Sequence, residues 1–450
     1  MRACIIGGGI GGLATAIRLI NRGWNVDIYE REGKIGGRAL SCRLEEYEKL
    51  IRKFEMKLLF SEPDIEEIRR MEGYKIDLGF HLIGGGKRGA CVRLLREINA
   101  NINFIGSRLG FIGKSIDYPI LKAGDKIAML PRILQLLLTR KSKIEEMKKI
   151  SIDEMIRRYG RGKMKLVLEL FPRLITTVND LSKISAGETF FAQRELLGGD
   201  PVVYPQGGLG TIAKEMANYI DAKGGKIFLN KEVERIVIED GIAKGVEVDE
   251  NFKEYDAVVS TIPVQHLFHI ADKKEFPNEW VKYITSLKGT GSIISYHAFR
   301  ELDKELLNKS FVFIERNTGF EGNDVVGMID FKMHHGSGVA PKGKFIVQSY
   351  AICTPEEARD KKKAEKLAEI IEKNLEKLMP NYRKNMEWCI HAAIWHLDGV
   401  AKTIDNEKPS VATPIKNLYL AGDCVESKGV GINCAADSSR LIAEAVENKR

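Results

Sequence analysis

The stretch Arg2-Ala-Cys-Ile-Ile6-Gly7-Gly8-Gly9-Ile10-Gly11-Gly12-Leu13-Ala-Thr-Ala-Ile17-Arg-Leu-Ile20-Asn21-Arg-Gly23-Trp24-Asn-Val-Asp-Ile-Tyr-Glu30 opens on a short apolar run and turns through glycines. It continues with Leu13, Ile17 and Ile20 on one helical face, stops at Gly23, and closes with a second apolar run that ends in an acid. That order predicts a β-α-β unit. Gly7, Gly9 and Gly12 fit G-x-G-x-x-G in its required context. The first glycine permits the tight turn, the second lets a pyrophosphate approach the backbone, and the third lets helix and strand pack closely. Free N–H groups and the dipole at the helix start favour an anion there. Glu30, eighteen residues beyond Gly12, is placed to accept hydrogen bonds from the two hydroxyls of an adenosine ribose, and its charge disfavours a 2'-phosphate.

Three further segments extend the pattern. Gly36-Gly37-Arg38 stands six residues after Glu30. Tyr204-Pro-Gln-Gly207-Gly208-Leu-Gly210-Thr211 leads into a helix to about Lys223, the apolar runs at Lys226 and Val233, and Tyr255-Asp-Ala-Val-Val-Ser-Thr-Ile-Pro263. Asn417-Leu-Tyr-Leu-Ala-Gly422-Asp423 is followed by Gly429-Val-Gly431-Ile432-Asn433 and a helix through Ala445. Together these resemble the FAD-dependent superfamily of amine oxidases, protoporphyrinogen oxidases and phytoene (carotenoid) desaturases, with the desaturase-like branch favoured. The resemblance implies an α/β fold: a Rossmann-like FAD-binding domain of the glutathione-reductase-like, G-G-R subgroup, with an interleaved α+β substrate domain. It implies FAD held by Gly7, Gly9, Gly11, Gly12, Glu30, Arg31, Gly36, Gly37, Arg38, Val233, Gly422, Asp423, Gly431 and Ile432. Arg38 would meet the phosphates, the Val233 backbone the adenine and Asp423 the ribityl chain. The helix starting near Ile432 would aim its positive end at the flavin.

The same resemblance divides the chain into a discontinuous FAD domain (1–44, 205–262, 405–450) and a substrate domain (45–204, 263–404). One departure is visible. The family's acid-x-Gly segment follows G-G-R by about a dozen residues, whereas Asp77-Leu78-Gly79 begins 39 residues after Arg38. The extra text carries Leu44, Tyr47, Ile51, Phe54 and Leu58 at helical spacing, predicting an amphipathic helix that is either core-packed or a lid beside the substrate entrance.

Length and composition exclude other classes. With 450 residues, 44% hydrophobic and 29% charged, the chain is globular rather than disordered. Seven cysteines without a C-x-x-C pair predict a reduced, cytoplasmic protein with no disulfide frame. No signal peptide is read at the N-terminus, and no apolar run reaches the ~20 residues of a bilayer span. Between Lys114 and Lys165 there are fourteen Lys and Arg against six Asp and Glu, an excess equal to the whole chain's +8. Cations flank the apolar text Ile127-Ala-Met-Leu-Pro-Arg-Ile-Leu-Gln-Leu-Leu-Leu138 there. The stretch reads either as a core helix with a solvated basic face or as a peripheral contact with an anionic membrane surface. Nucleic-acid binding is not indicated.

The expected chemistry is hydride transfer from an apolar, isoprenoid- or carotenoid-like substrate to the flavin N5, with a quinone, oxygen or a protein as electron acceptor. An amine or protoporphyrinogen oxidase, a carotenoid isomerase using reduced FAD, and a protein with a structural FAD remain open beside it. Few catalytic side chains are needed. Candidates are His81, since the matching family segment runs near the flavin ring, and Trp395 and His396 before the last flavin motif. No metal site is expected: His334-His335 lacks companions at metal spacing and reads as loop. Gly84-Gly85-Gly86-Lys87-Arg88 reads as a turn, and no second G-x-G-x-x-G unit serves a nicotinamide cofactor.

Overall fold

The computed structural model describes residues 1–79, 82–196 and 202–447. Its first layer is a five-stranded, all-parallel sheet in the order Lys226–Leu229, Asn25–Glu30, Arg2–Ile6, Ala257–Ser260, Leu418–Leu420. Parallel strands covered on both faces need apolar side chains in both directions. Accordingly Ile5, Ile28, Val258 and Val259 are fully buried and Leu418 and Leu420 almost so. The helices Ile10–Ile20, Gly210–Ala222 and Ile432–Glu447 supply the cover, the first packing against the other two. An antiparallel meander (Arg235–Glu239, Ile242–Val248, Asn251–Glu254) is inserted in the chain between the strands Lys226–Leu229 and Ala257–Ser260 of this sheet. This is the mixed α/β architecture expected from the opening motif.

The second layer is an eight-stranded sheet in the order Met56–Glu62, Met386–Ile394, Gly291–Phe299, Phe345–Cys353, Asp324–His334, Ser310–Arg316, Leu109–Ile112, Ile116–Asp117. One pair, Ser310–Arg316 with Leu109–Ile112, is parallel and the others antiparallel. Every residue of Gly291–Phe299 is buried, because both faces are covered. Ile294, Tyr296 and Ala298 pack into one apolar cluster, while Ile293 and Phe299 pack under the helix Lys361–Leu378. In the sheet's interior Lys332 and Asp330, both without solvent exposure, form an ion pair of 2.6 Å that also engages Ser310.

The text after Arg43 is not one helix. The helix Leu44–Lys53 buries Leu44, Tyr47 and Ile51 as its spacing predicts, then stops where Glu55 takes a left-handed φ of 56°. Leu58 instead lies in the strand Met56–Glu62 at the edge of the large sheet. The apolar period of this stretch changes from helical to alternating across the Phe54-Glu55 corner. The helix is core-packed, and its end, Lys53 to Met56, lines the cavity described below.

Candidate active site

The glycine turn is shaped by what a side chain would meet. A Cβ on Gly12 would lie 2.1 Å from the Gly7 carbonyl oxygen, so the helix Ile10–Ile20 could not approach its strand so closely with any other residue. A Cβ on Gly11 would lie 2.9 Å from the Cα of Gly422, where the C-terminal segment crosses the helix start. Gly9 is different: nothing stands within 4 Å of its Cβ position, which opens on the cavity. Beside it Glu30, 8% exposed, accepts hydrogen bonds from the Gly8 N–H at 2.7 Å and the Glu32 N–H at 2.9 Å. Burial raises its carboxyl pKa, and these two donors oppose the rise. Gly36, with φ of 119°, donates its N–H to the Gly8 carbonyl and brings the Gly-Gly-Arg turn against the first.

Arg38 and Asp423, 385 residues apart, meet as an ion pair of 2.6 Å. Arg38 also donates to the carbonyls of His396 and Leu397 at 2.8 and 3.0 Å. Burial would raise the Asp423 carboxyl, but Arg38, Lys408 and the Gly399 N–H outweigh it and hold the pKa at about 2. One guanidinium thus joins the Gly-Gly-Arg turn, the end of the large sheet and the C-terminal Gly-Asp motif.

These elements form one wall of a cavity of about 1490 Å³ that continues under the eight-stranded sheet. This exceeds the ~300–1,000 Å³ of an ordinary single-ligand pocket. Gly7, Gly9, Gly11, Glu30, Arg31, Gly36, Gly37, Arg38, Val233, Gly422, Asp423, Gly431 and Ile432 all line it; Gly12 does not, its place being the strand–helix contact. At the far end the lining is apolar, with Leu109, Ile133, Leu136, Phe171, Met328 and Tyr350. Over that end lies the helix Ala123–Leu138, none of whose residues is buried.

His396 lines the cavity, its Nε2 3.2 Å from Glu55 Oε2. His266, from the turn Val264–His269, stands 3.6 Å from Glu55 Oε1 and stacks on His269. Burial pushes both the His266 and His396 pKa values down against the pull of Glu55, so the imidazoles are held neutral at neutral pH. The expectation for Trp395 is corrected. Ile394 and His396 face the cavity, and Trp395 between them turns to the opposite side, where Arg359 lies 5.3 Å above its ring. The strand Met386–Ile394 has just ended, and Trp395 packs on the apolar cluster beneath the helix Lys361–Leu378. His81 lies outside the described residues. His334 is the last residue of a strand and only His335 leaves it.

Residues 10–447 match the family described as flavin containing amine oxidoreductase. The chain belongs to that family. This flavin containing amine oxidoreductase is 24% identical over 343 residues to a 15-cis-phytoene desaturase of Synechococcus elongatus, a match covering 70% of this chain and 69% of that protein. Among solved structures, an oxidoreductase from Methanosarcina mazei superposes over 99% of this chain and 100% of its own with a TM-score of 0.76 at 19% identity. A putrescine oxidase with putrescine bound superposes over 100% and 99% with a TM-score of 0.65 at 14% identity. The protein is an FAD-dependent oxidoreductase. The residues present fit that cofactor. Gly9 leaves a bare backbone facing the cavity, a helix N-terminus adjoins it, and a carboxylate and a guanidinium stand on either side.

Proposed function

We propose that this chain dehydrogenates an elongated, apolar small molecule of the isoprenoid or carotenoid kind. The observation that carries the reading is the charge of the cavity's far limb. Of its lining residues between 108 and 193, four are cations (Arg108, Lys126, Arg132, Lys143), none is Asp or Glu, and most are apolar. Asp398, the lining carboxylate that reaches Thr177 at 3.4 Å, lies 3.7 Å from Lys402 Nζ, so among the described residues a cationic amine meets an excess of positive charge there, whereas a polyene loses only water.

When bound, FAD accepts hydride from such a substrate. The chain's part is to hold both partners and exclude water. Gly7, Gly9, Gly11, Gly36 and Gly37 give close backbone approach, Gly12 seats the helix on its strand beside them, Glu30 and Arg31 take the ribose end, and Val233 takes the adenine. Arg38 neutralises the phosphates, while Gly422, Asp423, Gly431 and Ile432 hold the flavin end, in the manner of the glutathione-reductase-like subgroup. His396, tied through Nε2 to Glu55 beside the cavity, relays a proton along that pair. The division into 1–44, 205–262 and 405–450 against 45–204 and 263–404 belongs to this proposal, as does transfer of the electrons to a quinone, oxygen or a protein.

The helix Ala123–Leu138 favours delivery from an anionic membrane surface. Met129, Ile133 and Leu136 line the cavity, whereas Ile127, Leu134 and Leu138 are 72%, 48% and 81% exposed, with Lys126, Arg132, Arg140 and Lys141 beside them. Among the described residues no helix is long and apolar enough to cross a membrane. In anaerobic mixing, the yellow protein should bleach with a solubilised polyene and not with putrescine or other amines; bleaching by amines alone overturns the proposal. Co-flotation with anionic vesicles should fall in Leu134→Gln/Leu138→Gln, and flotation unchanged by that pair removes the membrane component.

A further inference from the structure

The face of the large sheet turned away from the cavity carries a patch unlike its apolar surroundings. His297 pairs directly across from Cys389, and Ser295 across from His391, placing four polar or ionisable side chains in a square on adjacent strands. All four are buried, His297 without any exposure. Neither ring nitrogen of His297 has a hydrogen-bond partner; Nε2 lies 3.9 Å from Glu372 Oε1 of the covering helix Lys361–Leu378. The same Oε1 lies 3.4 Å from His391 Nε2. Burying an imidazole with both nitrogens idle is a cost that natural cores avoid. One ligand atom each of His297, Cys389 and His391 falls within 4.8 Å of the others. The edges of a tetrahedral zinc site with two nitrogens and a sulfur are about 3.4–3.6 Å, so bringing these three atoms onto one ion needs movement of about an ångström, and Glu372 reaches the group through its approach to both histidines.

We propose that His297, Cys389, His391 and Glu372 form a closed four-ligand zinc site that pins the helix Lys361–Leu378 to the sheet. Two neutral imidazoles, one thiolate and one carboxylate neutralise a divalent zinc ion, so no net charge is left in the interior. The Cys389 thiol gives its proton to solvent as the Zn–S bond forms, and nothing is oxidised or reduced. The outer partners are already in place. Ser295 Oγ is 2.7 Å from His391 Nδ1, which reserves Nε2 for the ion. Arg383 donates to Glu372 Oε2 at 2.7 Å and leaves Oε1 facing the histidines. None of the four residues lines the cavity, so the site would support the fold and take no part in the flavin chemistry.

The test is metal analysis of the untagged, flavin-loaded protein after incubation with zinc and gel filtration. About one zinc per chain is expected, with zinc at background in His297→Ala/Cys389→Ser while FAD content is retained. Zinc at background in the wild type, copper in its place, or full zinc in the double variant overturns the site. Should the double variant not fold, the wild type decides alone. Stripped with a chelator and reloaded with Co2+, it should gain thiolate-to-cobalt charge transfer and the visible bands of tetrahedral cobalt, and a protein that gains neither refutes the assignment.

Discussion

Two glycines of one motif should fail in opposite ways when given a methyl group. In Gly12→Ala the new Cβ meets the Gly7 carbonyl oxygen at 2.1 Å and Ile5 Cγ2 at 3.2 Å, both part of packed structure. Relief requires moving the helix Ile10–Ile20 off its strand, a cost of about 1–3 kcal/mol for overpacking. For 450 residues unfolding together the unfolding entropy is roughly 1 kcal/mol per degree, so the FAD-free variant should melt about 1–3 °C low. Gly9→Ala costs the empty fold nothing: nothing lies within 4 Å, and φ of −74° with ψ of 177° suits alanine. On the proposed placement of the cofactor its methyl fills the space the pyrophosphate needs, and FAD affinity should fall about tenfold or more, about 1.4 kcal/mol. At free FAD near 100 times the wild-type Kd, flavin adds about 2.7 kcal/mol of stability to the wild type and about 1.4 kcal/mol to the variant. Differential scanning fluorimetry with and without FAD, beside a flavin titration, reads both effects. A Gly9→Ala protein with wild-type affinity and the full FAD-dependent shift would refute the reasoning.

Replacing Asp423 by Asn leaves Arg38 without its counter-charge and should lower flavin retention after dialysis; an unchanged absorbance ratio of flavin to protein contradicts the assigned role. Lys332→Met strands the buried Asp330 carboxylate and should cost about 3–5 kcal/mol in denaturant unfolding, with Lys332→Met/Asp330→Leu recovering part of the loss. His266 and His396 have folded pKa values below their ordinary 6.5, so below that pH the unfolded chain binds more protons and stability falls as the solution is acidified. The melting temperature should drop less between about pH 7 and about pH 5 in His266→Gln/His396→Gln than in the wild type; parallel curves would exclude these two groups as the cause.

The parts of the molecule that were legible from sequence are those whose geometry is written in short spacings. The turn at Gly7 to Gly12, the acid at Glu30 and the helix after Gly431 each depend on neighbours within one element or one turn. Trp395 and Leu58 were misplaced for a related reason. Both residues follow the end of the strand Met386–Ile394, and only the packed structure shows that His396 rather than Trp395 faces the cavity, as only the corner at Glu55 shows where helical spacing ends. The Glu55–His266–His396 group carries no local signal at all, since it is assembled from three distant segments by the closure of two sheets. The Arg38–Asp423 pair was half legible: both residues stood in recognisable motifs, yet nothing in either motif states that they touch.

The order of strands in the parallel sheet sets a timetable for synthesis. The central strand Arg2–Ile6 has Ala257–Ser260 for one neighbour, and the strand beyond that, Leu418–Leu420, leaves the ribosome long after both. Until then Gly11 lacks the Gly422 backbone that crosses it, and Arg38 lacks Asp423. Such distant pairings make folding slow and leave apolar strand edges open meanwhile. A nascent chain halted before Leu418 therefore exposes the unpaired edge of Ala257–Ser260 to chaperones or to its neighbours.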